Sequence, residues 1–167
     1  HINEPPDLWT KRLPSKYKER TPRMERFEKG HAWVIEGSED PIPFGINAAG
    51  GLPLEQRSQW AFWENIRKGG YVPAERLKEQ DLDGMDAEIL YPAQHCRQLV
   101  QAIRDNRPYN SIISGYNDYL ADYQAVAPDR LIVNALIPSR NLNDAMAELE
   151  HVGKIGIRGL ALSQFPN

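Results

Sequence analysis

Four histidines, His1, His31, His95 and His151, and one cysteine, Cys96, are the side chains of this 167-residue sequence best suited to metal ligation, proton transfer or nucleophilic attack. A mononuclear zinc site takes three or four protein ligands, and these histidines show no HxH or HExxH spacing. His95 and Cys96 are adjacent, which is not the spacing of a metal pair, and no CxxC exists. There is no GxSxG elbow, no P-loop and no GxGxxG. Spacing alone therefore assigns no site, and the candidates must be ranked by the elements that carry them.

Three short apolar runs, 86–92, 131–138 and 157–163, have strand length and are separated by segments of helical spacing. Near-continuous apolar strands divided by amphipathic helices indicate a parallel sheet covered by helices, because a parallel strand needs a crossover to return. The class is α/β. Such folds bind ligands at the carboxyl ends of their strands. That rule nominates Tyr91, Pro92, Gln94 and His95 after the first run, Pro138, Ser139 and Arg140 after the second, and Ser163, Gln164, Phe165 and Pro166 after the third. His151 falls on the solvent face of a helix and His31 in a hairpin, and both read as structural.

Taken in order, 1–23 is rich in proline and charge and leads into a short helix at 7–13, with Asp7 as its cap. Segments 23–28 and 31–36 form a hairpin turned at Lys29-Gly30. Residues 37–54 carry Pro41, Pro43, Gly45, Gly50, Gly51 and Pro53, which break regular structure, and Trp60, Phe62 and Trp63 follow in a helical turn. A loop this long is either a linker or an insertion covering a site. Pro73 suits a first helical position, opening a helix that ends before Asp83-Gly84. Further helices are expected at 98–104 and 109–127, the latter with Ile112, Ile113, Tyr116, Leu120, Tyr123 and Ala127 on one face. Asn141 or Asn143 caps a last helix whose Ala145, Met146, Leu149 and Val152 face the sheet, closed by Gly153 or Gly156.

A formal charge of −3 with both signs scattered gives no basic stripe for nucleic acid and no polybasic membrane patch. No apolar run reaches the roughly 18 residues that a membrane span needs. A single cysteine and the lack of an opening signal segment lead us to expect a cytoplasmic protein. The chain opens on His1 without an initiator methionine, so a fragment of a longer protein is also expected.

Four stretches carry a resemblance. His1-Ile2-Asn3-Glu4-Pro5-Pro6-Asp7-Leu8-Trp9 resembles the segment after the first barrel strand of the amidohydrolase-related enzymes grouped with aminocarboxymuconate semialdehyde decarboxylase and γ-resorcylate decarboxylase. Residues 83–92 are similar to that family's second strand. Tyr116-Asn117-Asp118-Tyr119-Leu120 through Pro128-Asp129-Arg130-Leu131 resembles its helix and third-strand entry, and Gly156-Ile157-Arg158-Gly159-Leu160 its fourth strand. The matches span nearly the whole chain in the family's order.

The resemblance implies the first half of a (β/α)8 barrel, which in full takes roughly 250 residues, as one partial domain over 1–167 with 22–70 inserted over the barrel mouth. It implies a divalent metal, zinc by expectation. His1 maps onto the second member of the x-x-H ligand pair ending the first strand, while a later histidine and an aspartate that also moves protons belong to the second half. Glu4 matches the family's Glu-Pro, as a support for a ligand, a substrate contact or a turn cap. Tyr91 and Gln94 would line the mouth. The implied function is a metal-dependent hydrolase acting on a small carboxylated or cyclic organic substrate. The alternatives are a metal-dependent non-oxidative decarboxylase of an aromatic or muconate-type acid, and an inactive half barrel. Expected partners are a small-molecule substrate and, at full length, further copies of the chain.

Overall fold

The computed structural model describes residues 1–162. Its centre is a parallel sheet of β4 (Glu88–Leu90), β5 (Leu131–Leu136) and β6 (Gly159–Ala161), neighbours in sequence order. These are the three strands expected from the apolar runs, β4 and β6 shorter at both ends and β5 starting as expected at Leu131 but ending at Leu136. Ile2 adds a parallel bridge to Pro92 and brings the first residues alongside the end of β4.

The helices obey local signals. α2 (Pro73–Asp83) starts on Pro73 and stops at Gly84, whose φ of 68° lets the chain turn back while the Met85 amide bonds to the Gln80 carbonyl at 2.9 Å. α4 (Asn106–Ala125) is capped by Asp105, which accepts from the Arg107 amide at 3.0 Å. α5 (Leu142–Lys154) is capped by Asn141, which accepts from the Asp144 amide at 2.8 Å. The expected cap of α1 (Leu8–Arg12) is different: Asp7 occupies the cap position, but its carboxylate pairs with Lys11 and bonds no free amide. α3 (Gln94–Ala102) begins one turn earlier than the spacing predicts, directly behind Pro92-Ala93.

Residues 23–43 form a separate antiparallel sheet of β1 (Arg23–Phe27), β2 (Gly30–Val34) and the short β3 (Ile42–Pro43). The hairpin outside the parallel sheet is thus present, with one strand more than expected. The region is no loose linker. Trp33 and Phe44 are wholly enclosed, and Trp33 meets the ring of Trp9 from α1 edge-on at 5.0 Å. Trp9 also stacks on Tyr116 of α4 at 6.3 Å and donates its indole N–H to the Ile112 carbonyl at 3.2 Å. Each such indole buries 150–250 Å², about 4–6 kcal/mol of transfer free energy before ordering costs. One core therefore joins the antiparallel sheet, α1 and α4.

α5 departs from expectation. Val152 is buried, but Met146 and Leu149 are exposed, and Glu148 takes the buried position one turn before Val152. The reason is a polar seam with α4: Glu148 accepts from Ser114 Oγ and, at 2.7 Å, from Asn117 Nδ2. Among the described residues no helix is long and apolar enough to cross a membrane.

Candidate functional site

The opening residues of the chain are held beside the end of β4 by backbone bonds. The Ile2 amide donates to the Tyr91 carbonyl at 3.2 Å, and the Asn3 amide to the Gly70 carbonyl at 2.8 Å. His1 Nδ1 lies 3.0 Å from the Pro92 carbonyl. A carbonyl only accepts, so Nδ1 carries the proton, and in the neutral ring Nε2 holds the lone pair. That is the arrangement in which a ligating imidazole is oriented by its second nitrogen. Tyr91 lies beside it, half exposed, with its ring centroid 6.4 Å from that of His1.

Glu4 goes elsewhere. Its carboxylate is wholly enclosed, with Oε2 2.5 Å from His95 Nε2 and Oε1 accepting from the Tyr116 hydroxyl at 3.1 Å. His95 is also buried, and its Nδ1 donates to the Phe44 carbonyl at 2.8 Å. Burial alone would lower the imidazole pKa, but the Glu4 charge and hydrogen bond, with the Phe44 carbonyl, outweigh it and raise His95 above its ordinary 6.5. Cys96 and Tyr116 enclose the pair. Burial first, and then the Glu4 charge, push both well above their usual values and keep both neutral. Glu4 is thus a buried tie between the first loop, α3 and α4, and its oxygens do not reach solvent.

The remaining nominees divide. Gln94 opens α3, and its side chain lies outside the described residues, as do Ser163, Gln164, Phe165 and Pro166. Pro138 is buried, and the Ser139 amide donates to the Tyr109 hydroxyl at 3.1 Å. Arg140 does not stand free for a substrate carboxylate. Its guanidinium bonds the Ile103 carbonyl, the Arg104 carbonyl at 3.2 Å and Asn106 Oδ1 at 3.1 Å, and lies 3.8 Å from the Tyr109 ring centroid. His31 is structural, its Nδ1 accepting from the Trp63 amide at 3.1 Å. His151 is half-buried and bonds Asp118 of α4 at 2.8 Å.

Two clefts adjoin these loops. One of about 580 Å³ runs between residues 43–59 and α3, lined by Phe44, Asn47, Arg57, Gln59, His95 and Gln98. A second of about 210 Å³ is lined by His1, Asn3, Asn47, Arg67 and Arg76, among others. Asn47 borders both. Among the described residues no three His, Cys, Asp or Glu side chains converge as a metal site, so His1 fits a metal as one ligand of an incomplete set.

His95 is nominated by its place after a strand, but its pairing with Glu4 is not legible in the sequence because that partner lies 91 positions away. A weak signal existed: Cys96, Leu99, Val100 and Ile103 recur at helical spacing, which puts His95 one turn before Leu99 at the edge of a buried face.

No family model matches the chain, and no curated protein does. Solved structures do. An amidohydrolase from Mycobacterium avium subsp. paratuberculosis K-10 superposes with a TM-score of 0.64 at 18% identity, over 94% of this chain and 45% of the other. The 2,6-dihydroxybenzoate decarboxylase from Rhizobium matches with a TM-score of 0.51 at 27% identity, over 69% of this chain and 33% of its own. The same decarboxylase activity, complexed with 2,6-dihydroxybenzoate, appears in a third structure at 29% identity and TM-score 0.51, over 68% and 33%. The chain thus spans less than half the length of each.

Proposed function

We propose that this chain, which resembles the amidohydrolase-related enzymes, is the first half of a (β/α)8 barrel, with residues 22–70 inserted over its mouth, in a metal-dependent hydrolase of a small carboxylated or cyclic organic substrate. One observation carries the reading. His1 lies beside the end of β4, next to the Ile2–Pro92 bridge, with Nδ1 on the Pro92 carbonyl, which in the neutral ring leaves Nε2 to ligate, as in a metal-binding imidazole.

A divalent ion held there, zinc by the resemblance, would polarise a substrate oxygen or lower the pKa of a bound water toward 7. The chain's own residues supply the frame. Backbone bonds of Ile2 and Asn3 fix the loop, the Pro92 carbonyl fixes the ring tautomer, and Tyr91 flanks the ring with a hydroxyl available to substrate. Phe44, Asn47, Arg57 and Gln59 of the region proposed as an insertion wall the larger cleft. The remaining ligands and the proton-transfer carboxylate would lie outside the described residues, so residues 1–162 alone are proposed to be inactive.

A second reading, a non-oxidative decarboxylase of a hydroxylated aromatic acid, is favoured by the higher identity to the 2,6-dihydroxybenzoate decarboxylases. The test is metal content together with turnover on lactone or amide substrates and on hydroxybenzoates. The proposal expects about one divalent ion per active protein, with ion and turnover both lost in His1→Ala. Unchanged metal and rate in that variant would overturn it. Release of carbon dioxide without hydrolysis would select the second reading.

A further inference from the structure

Residues 1–4 and 91–95 are tied at three levels. The Ile2 amide bonds the Tyr91 carbonyl at 3.2 Å, His1 Nδ1 the Pro92 carbonyl at 3.0 Å, and Glu4 Oε2 meets His95 Nε2 at 2.5 Å. The first two are made at the strand ends. The third is a side-chain pair sealed from water, with Glu4 at 0% and His95 at 3% exposure. Both of its members reach further: His95 to the Phe44 carbonyl at 2.8 Å, Glu4 to the Tyr116 hydroxyl at 3.1 Å.

We propose that His95 is a positioning residue for His1: through Glu4 it fixes the turn that carries His1, and through the first turn of α3 it fixes the Pro92 carbonyl that orients the His1 ring. Filling space would not require this pairing. Leu99 and Cys96 already pack the same face of α3, whereas the enclosed Glu4 carboxylate, whose Oε1 is met by Tyr116, needs a partner on Oε2 as well, and His95 supplies it. The consequence for His1 is a selected tautomer. Neutral imidazole in water favours the proton on Nε2, and the frame holds it on Nδ1, leaving Nε2 free to ligate. The same pair couples the loop to the inserted region, because His95 bonds the Phe44 carbonyl and Phe44 lines the 580 Å³ cleft.

The use of that tautomer rests on the reading of His1 as a metal ligand; the geometry does not. The test therefore reads both separately, in purified ¹⁵N-labelled protein. Ring-nitrogen shifts of His1 report its tautomer without metal, and zinc titrated against a chelator reports affinity. His95→Leu removes the pair; His95→Gln, which keeps a donor toward Glu4, serves if the first variant does not fold. We expect His1 to carry its proton on Nδ1 in the native protein. In His95→Leu it should shift toward Nε2, with zinc affinity lowered on the order of tenfold, and His95→Gln should recover part of both. An unchanged tautomer and zinc affinity in a folded His95 variant, or a native His1 protonated on Nε2, would overturn the proposal. A tautomer shift in a protein that binds no zinc would uphold the positioning role and remove the metal reading.

Discussion

The side-chain amide of Asn117 satisfies both backbone groups of Leu136, donating to its carbonyl at 2.8 Å and accepting from its amide at 2.9 Å. An α4 residue thereby takes the place of a strand neighbour at the end of β5, and the same Nδ2 docks α5 through Glu148. Asn117→Leu strips the Leu136 amide and carbonyl of these partners inside the core. At roughly 1–3 kcal/mol for each of the two unsatisfied buried groups, the unfolding free energy should fall by about 2–6 kcal/mol in urea titrations. Asn117→Asp should cost more, since it removes the donor and sets a second carboxylate beside Glu148.

Stability should respond to pH through His95. Its folded-state pKa lies above the ordinary 6.5, so its contribution is complete below about 6.5 and disappears as pH rises through the elevated value. The groups around it, Cys96 and Tyr116, stay neutral over that range. Melting temperature of the native protein should therefore decline with rising pH above 6.5 more steeply than that of His95→Gln. Parallel profiles for the two proteins would contradict the assignment.

Two glycines with positive φ should differ in their tolerance. At Gly84, with φ 68°, a Cβ meets nothing within 4 Å, so Gly84→Ala carries only the backbone cost of about 1 kcal/mol. At Gly30, with φ 147°, the same Cβ would stand 2.7 Å from the Ala61 carbonyl oxygen, against the segment whose carbonyl receives the His31 amide at 2.8 Å. Gly30→Ala should be the more destabilising of the two and should raise amide exchange at His31. Equal melting temperatures would refute the contact.

Under the proposed activity, Tyr91 tests whether the mouth contributes more than shape. Loss of one hydrogen bond worth about 1 kcal/mol is roughly a fivefold change in kcat/KM. Tyr91→Phe should show that loss if the hydroxyl bonds substrate, with metal content unchanged. A variant kinetically identical to the native protein would leave the ring only a wall.

The strands and the hairpin were legible because their signals are local: apolar runs bounded by Gly and Pro, and Lys29-Gly30 at a turn. Pro73 and Asn141 gave their helix starts for the same reason. What escaped was decided by distant partners. Glu148 reads as a solvent-facing charge until Ser114 and Asn117 arrive from α4, and its burial turns Met146 and Leu149 outward. α3 begins without a side-chain cap, so its first turn looked like loop, and His95 with it. Arg140 sits after a strand as a substrate-binding residue would, yet Ile103, Arg104 and Asn106 engage it. Residue type and strand-end location nominated both; only the fold distinguishes a strut from a free hand.

The sequence contains one thiol, and it is enclosed at the junction of the first loop, α3 and α4, beside Glu4 and Tyr116. Alkylation requires both access and the thiolate, and burial denies each. Reaction of Cys96 with iodoacetamide can therefore proceed only from molecules in which that junction has opened, so its rate counts openings. The native protein thus holds its own clock for the frame around His1, readable with neither substrate nor metal, and loosening the Glu4–His95 pair should make it run faster.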